Sequence, residues 1–279
     1  MEKNTLVEIP FEDWPKLRDL YVNRNLESNS FSMLRNIINW LNKDPSLEKS
    51  MKIYSLNGDW SDGTFILQDH KLYVMMNTLE ESQERLLAAL HCLDKKDPLV
   101  LSGCPLRITK SVEKYLADLG VPKESIQFSK TIWHHIELKQ ALEYNIDPPQ
   151  GIILSALRKE DIDTINSHWP HRHPGSELFV GRLVNLSQNI GAFDESGKLI
   201  AWCLLLPIGA LGLLQVRDEY KRKGFGSLMV KAMAKMQAEK GMETIAPVVE
   251  ENSASRAMFR SLGFQEIDAV FWYTKPEIA

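Results

Sequence analysis

The chain runs through one order of secondary structure twice, and that repetition limits its fold more than any other feature. Hydrophobic periodicity and turn residues predict strand, helix, helix, three strands, helix, strand, helix, strand in each half. In the first half, helices are expected at Phe11–Tyr21 and Phe31–Lys43 and strands at Lys52–Leu56, Thr64–Gln68 and Lys71–Met76. Helix Glu81–Leu93, strand Pro98–Gly103, helix Ser111–Gly120 and a long strand over Ile126–Leu138 follow. The second half begins with strand Ile152–Leu157, helices Lys159–Trp169 and Glu177–Leu186, and strands Asn189–Phe193, Leu199–Pro207 and Leu211–Val216. It ends with helix Phe225–Lys240, strand Thr244–Val249, helix Ser253–Gly263 and strand Phe264–Lys275. Residues 145–150, with the Pro148-Pro149 pair, read as a linker, so the expected domains are 1–145 and 151–279.

A constant offset supports the duplication. Phe225, Leu228, Met229, Ala232, Met233 and Met236 follow the spacing of one buried helical face. Leu86, Ala89, Leu90 and Leu93 lie 143 residues before Met229, Ala232, Met233 and Met236, and Leu119-Gly120 precedes Leu262-Gly263 by the same 143. The expected fold class is a mixed α/β (α+β) fold in tandem. Duplicated folds can exchange their final strands, so Gln127–Leu138 and Gln265–Lys275 are candidates to pack in opposite halves.

Composition narrows the function. With 44% apolar residues the 279-residue chain can build a core, and a net charge of −4 gives no field for holding DNA or RNA. Cys92, Cys104 and Cys203 are odd in number and widely spaced, which points to free thiols in a reducing compartment and away from a metal site. The acidic start MEKNTLVEIPFEDW has no import pattern, and the apolar stretch Ala201–Leu214 is broken by Pro207, Gly209 and Gly212. A soluble, cytoplasmic protein without membrane partners is expected, with a mitochondrial one as the alternative.

The two halves differ at one informative place. Between strand Leu211–Val216 and the next helix, the second half carries Asp218-Glu219-Tyr220-Lys221-Arg222-Lys223-Gly224-Phe225-Gly226-Ser227. Glycines let the backbone turn and approach a ligand, a helix start offers unpaired N–H donors, and three basic side chains add charge. This pattern suits a pyrophosphate. The corresponding first-half stretch is acidic, with Glu80 and Glu81 where the offset places Lys223 and Gly224, so a phosphate ligand is expected in the second half only.

A second motif, Asn252-Ser253-Ala254-Ser255-Arg256-Ala257-Met258-Phe259-Arg260-Ser261-Leu262-Gly263-Phe264, follows about thirty residues on. With these two motifs, residues 152–275 resemble the GCN5-related N-acetyltransferase (GNAT) superfamily. Trp202 with Leu204, Asp218-Glu219-Tyr220 and His168-Trp169 make the chain similar to its glycine N-acyltransferase-like group. The resemblance implies an acyl-CoA N-acyltransferase fold whose N-terminal copy is degenerate. The donor would be acetyl-CoA or another acyl-CoA, with no metal, and the acceptor a small amine or an amino acid such as glycine. It further implies that backbone groups of Leu214 and Val216 pair with the pantetheine arm. Lys221, Arg222, Lys223, Gly224, Phe225, Gly226 and Ser227 would hold the pyrophosphate, and Asn252 and Phe259 would line the thiol end.

The sequence departs from the family at three places. Lys221 stands where the family has Arg or Gln, Phe259 where a tyrosine often protonates the leaving thiolate, and Ala210 where the glycine acyltransferases place a glutamate base. A thiolate leaving group needs no strong acid, so the loss of the tyrosine need not abolish turnover. His168, His171 and Glu250 are the catalytic candidates, with Glu177, Glu251 and Tyr273 behind them. Loss of acid and base also leaves open a non-catalytic acyl-CoA-binding or interaction protein.

Overall fold

The computed structural model describes residues 3–22, 29–69, 72–94 and 99–275. Lys71 and Pro98, the expected first residues of two strands, lie outside them. The chain divides into two compact units: residues up to Ile132 together with those from Asp268 on, and Trp133–Ile267. The division falls inside two long strands and not at residues 145–150.

Unit 1 carries β1 (Leu6–Glu8), α1 (Trp14–Asp19), α2 (Ser30–Lys43), β2 (Met51–Leu56), β3 (Phe65–Asp69) and β4 (Tyr73–Asn77). After these come α3 (Glu84–Leu90), β5 (Leu99–Pro105), α4 (Thr109–Asp118) and most of β6 (Gln127–Ile136). Strands β1 to β4 pair antiparallel in sequence order, β4 pairs parallel with β5 through Val74 opposite Leu101, and β5 pairs with residues from the chain's last strand. Leu86, Ala89, Leu90 and Leu93 are buried, as the offset requires, against Val74, Met76, Leu101 and Tyr115. Helix α3 is shorter than the expected Glu81–Leu93 at both ends: Gln83, with φ 58, is its N-cap, and the helix stops at Leu90.

Unit 2 repeats the order. The end of β6, Trp133–Ile136, leads through the short α5 (Leu138–Leu142), a helix the sequence reading places inside a strand and loop, to β7 (Ile153–Ser155). Then follow α6 (Ile162–His168), α7 (Ser176–Leu186), β8 (Asn189–Phe193), β9 (Leu199–Leu205), β10 (Leu211–Val216), α8 (Phe225–Ala238), β11 (Thr244–Val249), α9 (Ser253–Ser261) and β12 (Gln265–Lys275). Strands β7 to β10 form an antiparallel sheet in the order β10-β9-β8-β7. Ala201, Cys203 and Leu205 share a core with Phe225, Met229, Ala232 and Met233 of α8, so the predicted helix face is the buried one.

Both final strands change partners along their length. Residues from Asp268 on belong to unit 1, where Val270 stands opposite Pro105 and Thr274 opposite Val100. Trp133–Ile136 belong to unit 2, where β6 neighbours β11. The expected exchange is therefore present, and it moves Tyr273 out of unit 2. Its hydroxyl donates to Glu113 Oε1 at 3.3 Å within unit 1.

Candidate active site

The edge of β10 sets the site. Strand β9 pairs with one side of it, while β11 neighbours the other side but belongs to a different sheet, so among the described residues no ladder closes that side. Gln215 stands opposite Trp202, and the Arg217 N–H donates to the Ile200 carbonyl at 2.9 Å. Antiparallel alternation then turns the backbone groups of Val216 away from β9 and toward the open side, while Leu214 falls within the irregular stretch. The register shifts between Gly212 and Gln215, and Leu213 has φ 46, a left-handed conformation that costs a residue with a Cβ on the order of 1–2 kcal/mol. The bulge interrupts regular pairing in mid-strand. The sequence offered no signal for it, because a run of leucines reads as unbroken strand.

Helix α8 begins one short loop later. Gly224, with φ 84, is its N-cap, no side chain caps it, and the first helical bond runs from the Leu228 N–H to the Gly224 carbonyl at 3.0 Å. The N–H groups of Phe225, Gly226 and Ser227 thus lie in a first turn that has no acceptor of its own, at the positive end of the helix dipole. Gly226 supplies room: a Cβ there would sit 3.2 Å from Met258 Sδ. The Lys221 ammonium lies 2.6 Å from Asp218 Oδ1, and the Lys223 ammonium lies 5.3 Å from the Tyr220 ring centroid. These surface contacts hold the cations weakly and leave them able to turn to an anion. Arg222, with φ 61, is exposed.

The same two features are closed in unit 1. β4 and β5 pair directly, and Glu80 Oε2 accepts from the Arg85 N–H at 3.1 Å, which places an internal carboxylate on the first turn of α3. The Arg85 guanidinium is engaged by Asp62 at 2.7 Å and Asp59 at 3.4 Å.

His168 ends α6 and meets the buried Trp202 ring edge-on, with centroids 5.6 Å apart. Its Nδ1 lies 2.8 Å from the Thr164 carbonyl, and the Ser167 hydroxyl donates to that same carbonyl at 2.8 Å. A carbonyl only accepts, so Nδ1 carries the proton and Nε2 the basic lone pair. Trp202 faces Gln215 across the ladder, next to the bulge, so the structure sets this imidazole near the irregular part of β10.

The other candidates scatter. His171 is exposed, its ring 6.2 Å from Trp169, which stacks on Phe179 at 5.5 Å. Glu177 is exposed in the first turn of α7, and Ala210 is buried. Glu250, Glu251 and Asn252 follow β11, across the open side of β10 from β9 and His168. The Glu250 carbonyl accepts from Arg256 Nη1 at 3.1 Å, and Asn252 Oδ1 caps α9 by accepting from the Ser255 N–H at 3.0 Å. The ring of Phe259 packs against Phe264 at 5.0 Å and His134 at 5.4 Å.

His134 was not expected. It is buried on the exchanged end of β6, with Nε2 3.4 Å from Glu266 Oε1. The signal available was a pair of histidines, His134 and His135, between the apolar Trp133 and Ile136. Among the described residues no group of three His, Cys, Asp or Glu is placed to hold a metal ion, and no helix is long and apolar enough to cross a membrane.

Comparison with known proteins places this geometry. The model of the FR47-like protein family matches residues 189–273. No curated protein matches the chain. A Drosophila protein of known crystal structure is similar over 98% of both chains, with 21% identity and a TM-score of 0.84. A tandem GNAT protein from the clavulanic acid biosynthesis pathway is similar over 99% of both chains (12% identity, TM-score 0.57). A GCN5-related N-acetyltransferase from Sphaerobacter thermophilus is similar over 100% of this chain and 98% of its own (12% identity, TM-score 0.54). The fold is thus that of the GCN5-related N-acetyltransferases, with the FR47-like match lying across the open-edged strand, the glycine-led helix and β12 as far as Tyr273.

Proposed function

We propose that unit 2 is an acyl-CoA-dependent N-acyltransferase that acts on the amine of a small acceptor such as glycine or another amino acid. The observation that carries the reading is the unpaired side of β10 leading directly to the uncapped first turn of α8. A pantetheine arm carries amides that can complete the ladder at Leu214 and Val216, and a pyrophosphate fits the N–H groups from Phe225 to Ser227. Lys221, Arg222 and Lys223 add attraction for the phosphates. Gly224 and Gly226 let the backbone come close, while Asn252 and Phe259 border the far wall. Unit 1, with its paired strands and Glu80 cap, is read as a degenerate copy.

Transfer needs a neutral amine, a thioester carbonyl whose developing charge is met by backbone N–H groups, and a departing thiolate. His168, with its lone pair on Nε2, is the first choice as base; His171 and Glu250 are further candidates. The similarity of His168-Trp169, Trp202 and Asp218-Glu219-Tyr220 to the glycine N-acyltransferase-like group supports the amino-acid acceptor.

Calorimetry with acetyl-CoA, then a thiol-release screen of several acyl-CoAs against amino acids, polyamines and peptides, tests this reading. Absence of CoA binding would overturn it. A second reading, a non-catalytic acyl-CoA-binding protein, is favoured by Phe259 and Ala210, which can neither donate nor accept a proton. It predicts CoA binding with no thiol release for any amine.

A further inference from the structure

Met258, on α9, packs directly on the first turn of α8. A Cβ on Gly226 would stand 3.2 Å from the Met258 sulfur and 3.9 Å from Val216 Cγ2, so the thioether and the end of β10 flank the backbone to which the pyrophosphate is assigned. Met258 is also partly exposed. In the same unit Met229, Met233 and Met242 are buried, and the other partly exposed methionine, Met236, lies in the second half of α8, away from its first turn.

A thioether suits this position. It is flexible and apolar, its sulfur is only a weak acceptor, and it leaves the first turn of α8 without a side-chain cap. Taking up one oxygen turns it into a polar sulfoxide. The added oxygen needs room beside Gly226, where the backbone is bare so that a ligand can approach. It is also an acceptor with partial negative charge, set next to N–H groups at the positive end of a helix. Unit 1 shows what an internal acceptor does there: the Glu80 carboxylate already engages the first turn of α3.

We infer that Met258 is a modification site, whose oxidation by a peroxide closes the pyrophosphate turn of unit 2 and whose reduction by methionine sulfoxide reductases reopens it. The inference rests on the acyl-CoA reading of that turn. In the step, the oxygen–oxygen bond of hydrogen peroxide breaks. One oxygen bonds to Sδ, which gives up two electrons, and the other leaves with both protons as water. Because oxidation and ligand oppose each other at one place, bound acyl-CoA should in turn shield the sulfur.

The test treats the full chain with hydrogen peroxide and then re-reduces the cysteines. Peptide mass spectrometry should find Met258 oxidised about tenfold faster than Met229 or Met233, and more slowly when acetyl-CoA is present. By calorimetry the oxidised protein should bind acetyl-CoA about tenfold more weakly, with affinity restored by sulfoxide reductases acting on both epimers. Met258→Leu, compared with its own untreated sample, should stay within about twofold after the same treatment, since the remaining methionines and the cysteines are still present. Oxidation of Met258 no faster than of the buried methionines, equal affinity before and after, no recovery on reduction, or an equal loss in Met258→Leu would overturn the inference. If the untreated protein binds no acetyl-CoA, the acyl-CoA reading fails instead. The amide resonances of Gly226 and Ser227 then decide whether the oxygen reaches the turn: oxidation should move them in the unaltered protein but not in Met258→Leu, and unmoved resonances would overturn the inference as well.

Discussion

The Glu80 carboxylate accepts a hydrogen bond from the Arg85 N–H at 3.1 Å, so the first turn of α3 meets a carboxylate of its own chain, whereas the first turn of α8 has no side-chain cap among the described residues. One fold thus has two solutions for the same unpaired donors. Replacing Glu80 with Ala should destabilise the protein by about 1 kcal/mol, the usual worth of a lost N-terminal cap. Thermal unfolding measures that loss, and acetyl-CoA affinity should stay unchanged. A change in affinity would mean that unit 1 takes part in binding.

The carboxylate of Glu266 gives the fold an acid limit. Burial raises its pKa, but the bidentate hydrogen bond from Arg256 (3.0 Å to each oxygen) and the charges of Arg256, His134 and Arg260 outweigh this, so the net shift is downward. A carboxyl with a lowered folded-state value contributes stability above its unfolded value, about 4.3, and loses it as pH falls through the folded value. Unfolding temperature measured from pH 7 to pH 3 should fall at the acid end in the unaltered protein. Glu266→Gln should flatten part of that slope, and an identical slope would remove Glu266 from the account. The pair is about a quarter to a third exposed, so the gain is modest.

Thiol chemistry separates the three cysteines. Cys104 and Cys203 are buried, and burial pushes each thiol up to about 12, while Cys92 is half-buried. Reaction depends on thiolate and access. A chromogenic disulfide reagent at pH 8 should titrate no more than one thiol per chain in the native state and three in denaturant. Rapid reaction of two or three native thiols would contradict the packing of β5 or β9.

Cutting the chain at the proline pair should give no folded half. A fragment from Pro149 on keeps residues from Asp268, which pair in unit 1, and lacks Trp133–Ile136, which belong to unit 2. Each fragment would expose unpaired strand edges, and such edges aggregate. Circular dichroism and limited proteolysis of residues 149–279 should find an aggregated or partly unfolded chain. A cooperative, monomeric fragment would show that the exchange is dispensable.

The element order, the buried face of α8 and the contrast between Glu80 and Gly224 were legible because each rests on local pattern: a period, a charge, a glycine after a basic run. The long strands raised the possibility of exchange, but their partners could not be read, since pairing across more than a hundred residues leaves no mark on a single segment. The bulge at Leu213 and the Trp202 indole, buried with no partner for its N–H among the described residues, were hidden for a related reason. Both are properties of what fails to pair, and sequence reports the groups a residue carries but not which of them find partners. Asn252 shows the reverse. Its motif was visible, while its local duty as cap of α9 appears only with the Ser255 N–H beside it.

The division of β6 and β12 also bears on what the chain can lose. Unit 1 contains the end of β12, and unit 2 contains Trp133–Ile136 of β6. Deleting either unit therefore removes strand residues from the other, so a shortening tolerated in an ordinary pair of domains would here leave a sheet incomplete.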